Sequence, residues 1–215
     1  MPKFDEMYTV LPFGGSDVRA HYKRYAEWLA RQSDAAMEAR RLEAEMIFRR
    51  VGITFAVYGT KDSGGAGNER LIPFDLVPRI ISAQEWARME RGLVQRVTAL
   101  NRFLHDVYHA QDILRAGIVP ADLVLKNAQY RPEMAGVQLP RGIYAHIAGI
   151  DIVRAANAQG EGIFYVLEDN LRVPSGVSYM LENRKMMMRL FPELFQASHI
   201  LPVDDYPARL YDTLA

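Results

Sequence analysis

Hydrophobic positions recur at roughly helical spacing in three long stretches of the chain, which predict helices over about 17–50, 83–109 and 177–191. The spacing in the first stretch leaves open a break near Ser33. Pro192 ends the third stretch, because proline cannot continue a helix. Between these stretches the hydrophobic runs are shorter and follow a different pattern, so the chain is not predicted to be all helical.

β-Branched and aromatic residues dominate 53–59, which is typical of a strand, and the stretches 141–155 and 163–170 are also strand-like. The polar, glycine-containing stretch 157–162 joins the last two and predicts an antiparallel hairpin. The stretch 61–70 has the composition of a flexible loop. Together these patterns predict an α+β fold, with a mixed or antiparallel sheet flanked by helices.

Charge and composition exclude several classes of function. The chain of 215 residues has 26 basic and 26 acidic residues. This balance argues against nucleic acid or a membrane as the main partner, since both attract a basic surplus. The absence of cysteine excludes disulfides, zinc–thiolate sites and thiol nucleophiles, and favours a cytoplasmic location. The first ten residues are not typical of a signal peptide, and no stretch has the length of a membrane span.

Three oxygen-bearing side chains fall near one end of the predicted hairpin. Asp151 lies near the end of the first strand, and Glu168 and Asn170 lie at the end of the second. Residues two apart on a strand share a face, so Glu168 and Asn170 point the same way and Asp169 points away. The turn position places Asp151 opposite roughly residue 165, from where strand twist can bring it toward Glu168. Two carboxylates and an amide are hard ligands that suit Mg²⁺.

Two segments of the chain resemble a known family. VYGTKDSGGAGNERLIPFDLVPR (57–79) and LEDNLRVPSGVSYMLENR (167–184) resemble the circularly permuted ATP-grasp proteins, relatives of glutathionylspermidine synthetase. The resemblance runs from about residue 4 to the end. It implies a partial ATP-grasp fold, of the glutathione synthetase ATP-binding kind, that is incomplete in this chain. It also implies a helical, substrate-side region over 1–140 and the metal-binding hairpin with following helices over 141–215, as one continuous unit.

The resemblance also implies roles for individual residues. Asp151, Glu168 and Asn170 are expected to bind Mg²⁺, and Arg172 and Arg154 to stabilise a transferring phosphoryl group or an acylphosphate. Residues expected to contact the substrate are Ser175, Gly176, Glu69, Arg70, Asp75 and Arg79. An ordinary surface ion-pair network is the alternative interpretation for the last four.

The implied activity is that of an ATP-dependent carboxylate–amine ligase. ATP would phosphorylate a carboxylate to an acylphosphate, and an amine would then displace phosphate to form a peptide-like or polyamine-like amide. The implied co-substrate is ATP, the implied cofactor is Mg²⁺, and the partners are a small carboxylate, an amine or a peptide. Charge on the phosphoryl oxygens would be neutralised by Mg²⁺ and arginine, which is the main requirement of phosphoryl transfer.

The sequence departs from the family pattern in two respects. Gly149 stands where many ATP-grasp ligases have an arginine, two residues before the metal-binding aspartate. Proteins of this kind are also about twice as long, and their segments that bind adenine and phosphates, including a lysine, are expected after the hairpin. A complete ATP site would then require the rest of the protein, and an uncovered apolar face could drive self-association.

Other interpretations stay open at this point. A non-catalytic module could hold a peptide or protein beside the first helix. Metal-dependent hydrolysis at the same carboxylates would need a base, for which His146 is the nearest histidine. His105 and His109 share a helix face, as in zinc proteases, but the intervening acid is Asp106 rather than glutamate. The stretch 64–67 could cradle a phosphate, although a flexible hairpin loop is the simpler interpretation.

Overall fold

The computed structural model describes residues 4–11, 13–57 and 68–215, without the side chains of 55–57, 68 and 69. The strands in this part of the chain are β1 (Tyr8–Val10), β2 (Ser16–Val18), β3 (Thr54–Val57), β4 (Asn68–Leu71), β5 (Gly149–Ala156) and β6 (Gly162–Asn170). The helices are α1 (Lys23–Leu29), α2 (Asp34–Val51), α3 (Ala83–Tyr108), α4 (Asp112–Arg115), α5 (Ala121–Leu125), α6 (Val177–Leu190), α7 (Pro192–Gln196) and α8 (Tyr206–Leu214). Short 3₁₀ turns are Ala20–Tyr22, Pro132–Met134 and Pro140–Gly142.

The strands form antiparallel pairs of sequence neighbours: β1 with β2, β3 with β4, and β5 with β6. The combination of helices with small antiparallel ladders confirms the α+β class. Within the described ranges these are three separate two-stranded ladders, where the sequence predicted one sheet flanked by helices. None of the described helices is long and apolar enough to cross a membrane.

The chain divides into two compact units. The first, called here the hairpin unit, contains Ser82–Ser175 with Phe4 of the N-terminal arm. The second, called the helical unit, contains Asp5–Ile81 and Gly176–Thr213. The segment after Ser175 belongs with the beginning of the chain because α6 packs against α2. The division at residue 140, which was drawn by function, stays a prediction.

The core of the helical unit is aromatic. The Trp28 ring lies 5.7 Å from that of Tyr25 and 5.0 Å from that of Phe191, measured between ring centroids. Burial raises the pKa of Tyr25 to about 12, with a smaller contribution from the Asp75 carboxylate. The remaining buried members of this core are Tyr22, Ala44, Phe48, Met186 and Leu190. The core therefore joins α1 and α2 to α6.

The single helix predicted over 17–50 is interrupted. Residues at its start form β2, which pairs with β1 and therefore cannot be helical. The Ser33 hydroxyl accepts a hydrogen bond from the backbone N–H of Ala36 at 3.2 Å, which makes Ser33 the N-cap of α2. Gly52 ends α2 with φ of 77°, a left-handed conformation that glycine adopts without strain.

The long helix α3 begins at a capping box. The backbone N–H of Glu85 donates to the Ser82 hydroxyl at 3.3 Å, and the backbone N–H of Ser82 donates to the Glu85 carboxylate at 3.0 Å. These reciprocal bonds satisfy two N–H groups that a helix start leaves without intrahelical partners. The helix start predicted near residue 83 is confirmed.

The strand predicted over 141–155 begins later, at Gly149. The side-chain oxygen of Asn101, on α3, accepts hydrogen bonds from the backbone N–H groups of Tyr144 and Ala145 at 2.7 and 3.0 Å. Amides that bond to a helix side chain are not available to a strand ladder. This contact fixes the entry of the chain into β5.

Candidate functional site

A β-bulge sets the register of the β5–β6 hairpin. Ile152 pairs with Val166, but the next pair is Asp151 with Glu168, so Leu167 is an extra residue on β6. In a regular ladder Leu167 would oppose Asp151, and Glu168 would face the other side of the hairpin. The bulge therefore determines the side of the hairpin on which Glu168 lies.

The bulge places Asp151 and Glu168 at directly opposite positions on the two strands. Side chains of a directly opposed antiparallel pair lie on the same face of the ladder. The sequence placed Asp151 opposite roughly residue 165, and that register was wrong. Because Asp151 and Glu168 are direct cross-strand neighbours, strand twist is not needed to bring their side chains together.

Asn170 adjoins this pair on the same strand. Its amide nitrogen donates to the Glu168 carboxylate at 3.0 Å, and its backbone pairs across from Gly149. A Cβ atom at position 149 would lie 2.9 Å from Cβ of Pro174 and 3.4 Å from Cβ of Asn170. The space next to Gly149 is therefore taken by Asn170 and by the loop that follows β6.

Asp169 faces the opposite side of the hairpin, toward α3. The Arg96 guanidinium donates to both carboxylate oxygens of Asp169, at 2.7 and 2.6 Å. This bidentate hydrogen bonding lowers the pKa of Asp169 below its ordinary value. By holding Asp169 to α3, Arg96 turns the residues on either side of it, Glu168 and Asn170, to the other face.

Arg154 also lies on the α3 side of the hairpin. It donates to the Glu85 carboxylate at 2.5 Å, and its guanidinium lies 4.3 Å from the ring centre of Phe4 and 4.8 Å from that of Phe164. Its side chain is only 7% exposed. Arg154 is three residues beyond Asp151 on the same strand, and an odd separation places it on the opposite face. The structure does not bring Arg154 together with the carboxylates.

Two ion pairs join α3 to the hairpin, and α3 supplies the acid of one and the base of the other. Glu85 and Arg96 are separated by eleven residues, which is about three helical turns, so both face the hairpin. Glu85 holds a cation of β5 and Arg96 holds an anion of β6. This arrangement disfavours a shift of the hairpin along α3, because a shifted hairpin would lose both pairs.

Arg172 lies two residues beyond Asn170, in the loop between β6 and α6, and is exposed. Its guanidinium donates to the side-chain oxygen of Gln129 at 2.8 Å. The next residue, Val173, has φ of 49° and precedes Pro174. A β-branched residue rarely adopts positive φ, and a residue before proline favours extended conformations. Strain of this kind is concentrated at functional loops.

Ser175 and Gly176 end the loop and are exposed. Gly176 has φ of 94° and is the N-cap residue of α6. Its carbonyl accepts a hydrogen bond from the N–H of Tyr179 at 3.0 Å. The left-handed conformation at this turn requires glycine, and it leaves the backbone near Gly176 accessible.

Arg70, a predicted substrate contact, lies in the helical unit. It lines an open depression of about 420 Å³ together with Arg49, Thr54 and Leu71. The backbone of Glu69 pairs with β3, but the Glu69 side chain lies outside the described residues. The glycine-rich stretch 64–67 also lies outside them.

Asp75 and Arg79, the other predicted substrate contacts, make local contacts in the helical unit. The Asp75 carboxylate accepts the backbone N–H of Val77 at 2.8 Å. The Arg79 guanidinium donates to the Glu6 carboxylate at 2.6 Å. Both side chains thus hold the proline-containing stretch after β4 to its own unit.

His105 lies in the last turn of α3, and His109 is the C-cap residue of this helix. The rings of His105 and His109 stack with centroids 4.1 Å apart, and the nearest polar group that both share is the Tyr144 hydroxyl. The carboxylate of Asp106 accepts two backbone N–H groups at the start of α4, which also lowers its pKa. Over the ranges described, no group of three or more His, Asp or Glu side chains could hold a metal ion.

Several residues around the site were missed by the sequence analysis. The Ser-x-x-Glu pattern at Ser82 was available as a capping-box signal for Glu85. Helical spacing from Glu85 would then have placed Arg96 on the same face. Nothing in the sequence indicated the bulge at Leu167 or the contact of Gln129 with Arg172, since both depend on the tertiary structure.

Comparison with known proteins identifies one family. The family described as a circularly permuted ATPgrasp matches residues 78–215, well over half of the chain. An uncharacterized protein of Synechocystis sp. is 41% identical over 96% of this chain, and the match covers 41% of the relative. An uncharacterized protein of Mycobacterium leprae is 42% identical over 98% of this chain and 35% of the relative.

A third relative carries a descriptive name. "Putative glutamate--cysteine ligase 2-2" of Frankia casuarinae is 41% identical over 92% of this chain, and the match covers 22% of that protein. The chain therefore spans about two-fifths or less of the length of these relatives.

Proposed function

The chain belongs to the circularly permuted ATP-grasp family, and we propose from this that it is part of an ATP-dependent carboxylate–amine ligase. The ligase name of the Frankia relative supports the class of reaction. The observation that carries the proposal is the pairing of Asp151 with Glu168 across the bulged ladder, on the face away from α3.

The pair and its neighbour fit the requirements of a magnesium site. Asp151 and Glu168 supply two carboxylates on one face, and Asn170 adds an amide beside them. The side-chain nitrogen of Asn170 donates a hydrogen bond to Glu168. The side-chain oxygen of Asn170 is therefore the atom left to bind a cation. Mg²⁺ is commonly held by one or two carboxylates while nucleotide phosphates and water complete its shell. Bound there, Mg²⁺ would supply positive charge to the phosphate oxygens of ATP.

The proposed reaction has two steps. A substrate carboxylate oxygen attacks the γ-phosphorus of ATP, which forms an acylphosphate and releases ADP. An amine nitrogen then attacks the acyl carbon, the bond to the phosphate oxygen breaks, and amide, phosphate and a proton result. The proposed carboxylate substrate is an acidic amino acid such as glutamate, a choice that rests on the name of the Frankia relative.

Arg172 is the residue that we assign to charge stabilisation during phosphoryl transfer. It is exposed, it follows the metal motif by two residues, and it lies in a strained loop. Arginine presents several donors to phosphate in a fixed geometry. Arg154 is assigned a supporting role, because Glu85 and two aromatic rings hold it on the other face.

The remaining proposed substrate contacts differ in what their side chains contact. Ser175 and Gly176 follow the metal motif in sequence and are exposed, and Arg70 lines an open depression. Glu69 stays a candidate from the family pattern alone. Asp75 and Arg79 are engaged in local bonds, which favours a structural role for both.

Trapping with hydroxylamine tests the proposed chemistry. The native full-length protein would be incubated with MgATP, glutamate and hydroxylamine, which converts an acylphosphate to a hydroxamate that can be measured by colour. We expect hydroxamate and ADP in equal amounts from wild type and neither from Glu168→Ala. Glu161→Gln, a matched change in the hairpin turn, should leave the yield unchanged.

Two results would contradict the proposed ligase reaction. ADP without hydroxamate would replace the ligase with simple ATP hydrolysis. A second result would favour the non-catalytic binding module. In that case neither ADP nor hydroxamate forms with any of a panel of acidic amino acids, and the protein binds a peptide or protein tightly.

A further inference from the structure

Two guanidinium groups converge on one neutral oxygen in the hairpin unit. The side-chain oxygen of Gln129 accepts from Arg172 at 2.8 Å and from Arg131 at 3.5 Å. The two donating nitrogens are therefore separated by no more than the sum of these distances. A single phosphate or carboxylate group can accept hydrogen bonds from two nitrogens that are this close.

The segment that carries Arg131 is held in place by hydrogen bonds and stacking. The backbone N–H of Arg131 donates to the Tyr108 hydroxyl at 3.2 Å, and the Tyr130 ring stacks on Tyr108 with centroids 5.2 Å apart. The Asn127 side chain accepts the backbone N–H of Gln129 at 2.9 Å. Gln129 and Arg131 are thus fixed to the end of α3, while Arg172 reaches them from the loop after β6.

The charge of this pair is not neutralised within the described residues. Neither Arg131 nor Arg172 takes part in an ion pair among the described ranges, and both are exposed. The nearest acid in sequence to Arg172 is Asp169, which is engaged by Arg96 on the other face of the hairpin. Two like charges that share a neutral acceptor favour the approach of an anion.

We propose that Arg131 and Arg172, bridged by Gln129, form an oxyanion site that binds a phosphoryl or carboxylate group. The proposal rests on the proposed function, because that reaction supplies both kinds of oxyanion beside Asn170. Arg131 adds a second guanidinium to the one that the sequence suggested. Arginine suits this role because its planar fork donates to two oxygens at once.

Gln129 has a defined task in this site. Its oxygen accepts from both arginines, and Arg131 also donates to the backbone carbonyls of Ala128 and Tyr130, which hold it beside Gln129. A bound oxyanion replaces the neutral acceptor with a charged one, and hydrogen bonds of ionised donors to ionised acceptors are stronger than those to a neutral amide.

Binding measurements on the native full-length protein test the site. Three probes are titrated in a calorimeter: inorganic phosphate, MgATP and glutamate. The variants are Arg131→Ala, Arg131→Lys, Arg172→Ala and the double alanine variant. Arg102→Ala is the matched control, because Arg102 is an exposed arginine of α3 that is absent from the site. We expect Arg131→Ala to weaken the binding of at least one probe about tenfold, because the variant loses one charge-assisted hydrogen bond to the anion.

The pattern of losses identifies the oxyanion. Loss of phosphate and MgATP affinity assigns the site to a phosphoryl group, whereas loss of glutamate affinity alone assigns it to the carboxylate substrate. The double variant should lose less than the product of the single losses, because both arginines bind one group. Arg131→Lys should recover only part of the affinity.

Two outcomes separate this inference from the proposed function. If Arg131→Ala binds all three probes as Arg102→Ala does, the oxyanion site is wrong even when hydroxamate forms normally. If phosphate binding depends on both arginines but no hydroxamate forms with any amino acid, the site stands and the ligase reaction is wrong.

Discussion

Asp151 and Glu168 occupy directly opposite positions on β5 and β6, although a regular continuation of the ladder would pair Asp151 with Leu167. The bulge at Leu167 therefore creates the carboxylate pair. On the other face, Arg96 holds Asp169. Bulges are common next to active sites because they change the direction of a side chain without changing the fold.

The glycine at position 149 is required by the loop that covers it. We expect Gly149→Ala to lower the free energy of unfolding by about 1–3 kcal/mol, because its Cβ would overlap Pro174 and overpacking is costly. Gly92→Ala is the control, since its Cβ would lie in open space on the α3 surface. That change should raise stability by about 0.5–1 kcal/mol. Urea unfolding measures both, and equal effects would contradict the close contact.

Arg154 and Arg172 should respond differently to substitution. Arg154→Ala removes a nearly buried partner of Glu85, and we expect a loss of about 3 kcal/mol in unfolding free energy. Arg172→Ala changes an exposed side chain and should alter stability by less than about 0.5 kcal/mol, while it reduces MgATP binding. Thermal unfolding and nucleotide titration of the two variants check this. A stable Arg154→Ala protein that fails only in turnover would make Arg154 catalytic.

The start of α3 depends on the Ser82 hydroxyl. Ser82→Ala removes the side-chain half of the capping box, and we expect a loss of about 1 kcal/mol in unfolding free energy. Ser178→Ala, at an exposed position in the first turn of α6, is the control and should be nearly neutral. If both serines prove equally neutral in chemical denaturation, the cap does not stabilise α3.

The ion pair of Arg96 with Asp169 should stabilise the fold in a pH-dependent way. The pKa of Asp169 is lowered in the folded protein, mainly by the hydrogen bonds from Arg96. A lowered carboxyl pKa stabilises the fold above the unfolded pKa, and this contribution is lost as pH falls through the folded pKa. The unfolding temperature of Arg96→Ala should thus lie below that of wild type at pH 7, and the difference should shrink below about pH 4. The same comparison in the Asp169→Asn variant is the control. There, the change in unfolding temperature caused by Arg96→Ala should not depend on pH between about pH 7 and pH 4. If it still depends on pH, a group other than Asp169 is responsible.

The sequence predicted most of what depends on local patterns. The helices α3 and α6 follow from hydrophobic spacing and their positions are confirmed, and the antiparallel β5–β6 hairpin predicted from turn composition is confirmed as an element. The motif after Leu167 indicated the family, which the comparisons confirm. Asp169 was expected to face away from Glu168, and its bond to Arg96 follows that expectation.

What the sequence did not predict depends on tertiary contacts. A bulge leaves no periodic signal, so the register at Asp151 was wrong. The beginning of β5 was misplaced because Asn101 takes the backbone N–H groups of Tyr144 and Ala145. Strand alternation predicts the side of the hairpin on which Arg154 lies. Its ion pair with Glu85 could not be predicted, because it depends on how α3 packs against the hairpin. The cytoplasmic location, Mg²⁺ and the substrates stay predictions.

We propose that Asp151, Glu168 and Asn170 hold the magnesium ion of MgATP, and one binding experiment tests this directly. The measurement is calorimetric titration with MgATP of the native protein and of its Glu168→Ala and Asn170→Ala variants, with Glu161→Gln as control. Wild type and Glu161→Gln are expected to bind MgATP, and both alanine variants are expected to lose this binding. Unchanged MgATP affinity in Glu168→Ala and Asn170→Ala would contradict it.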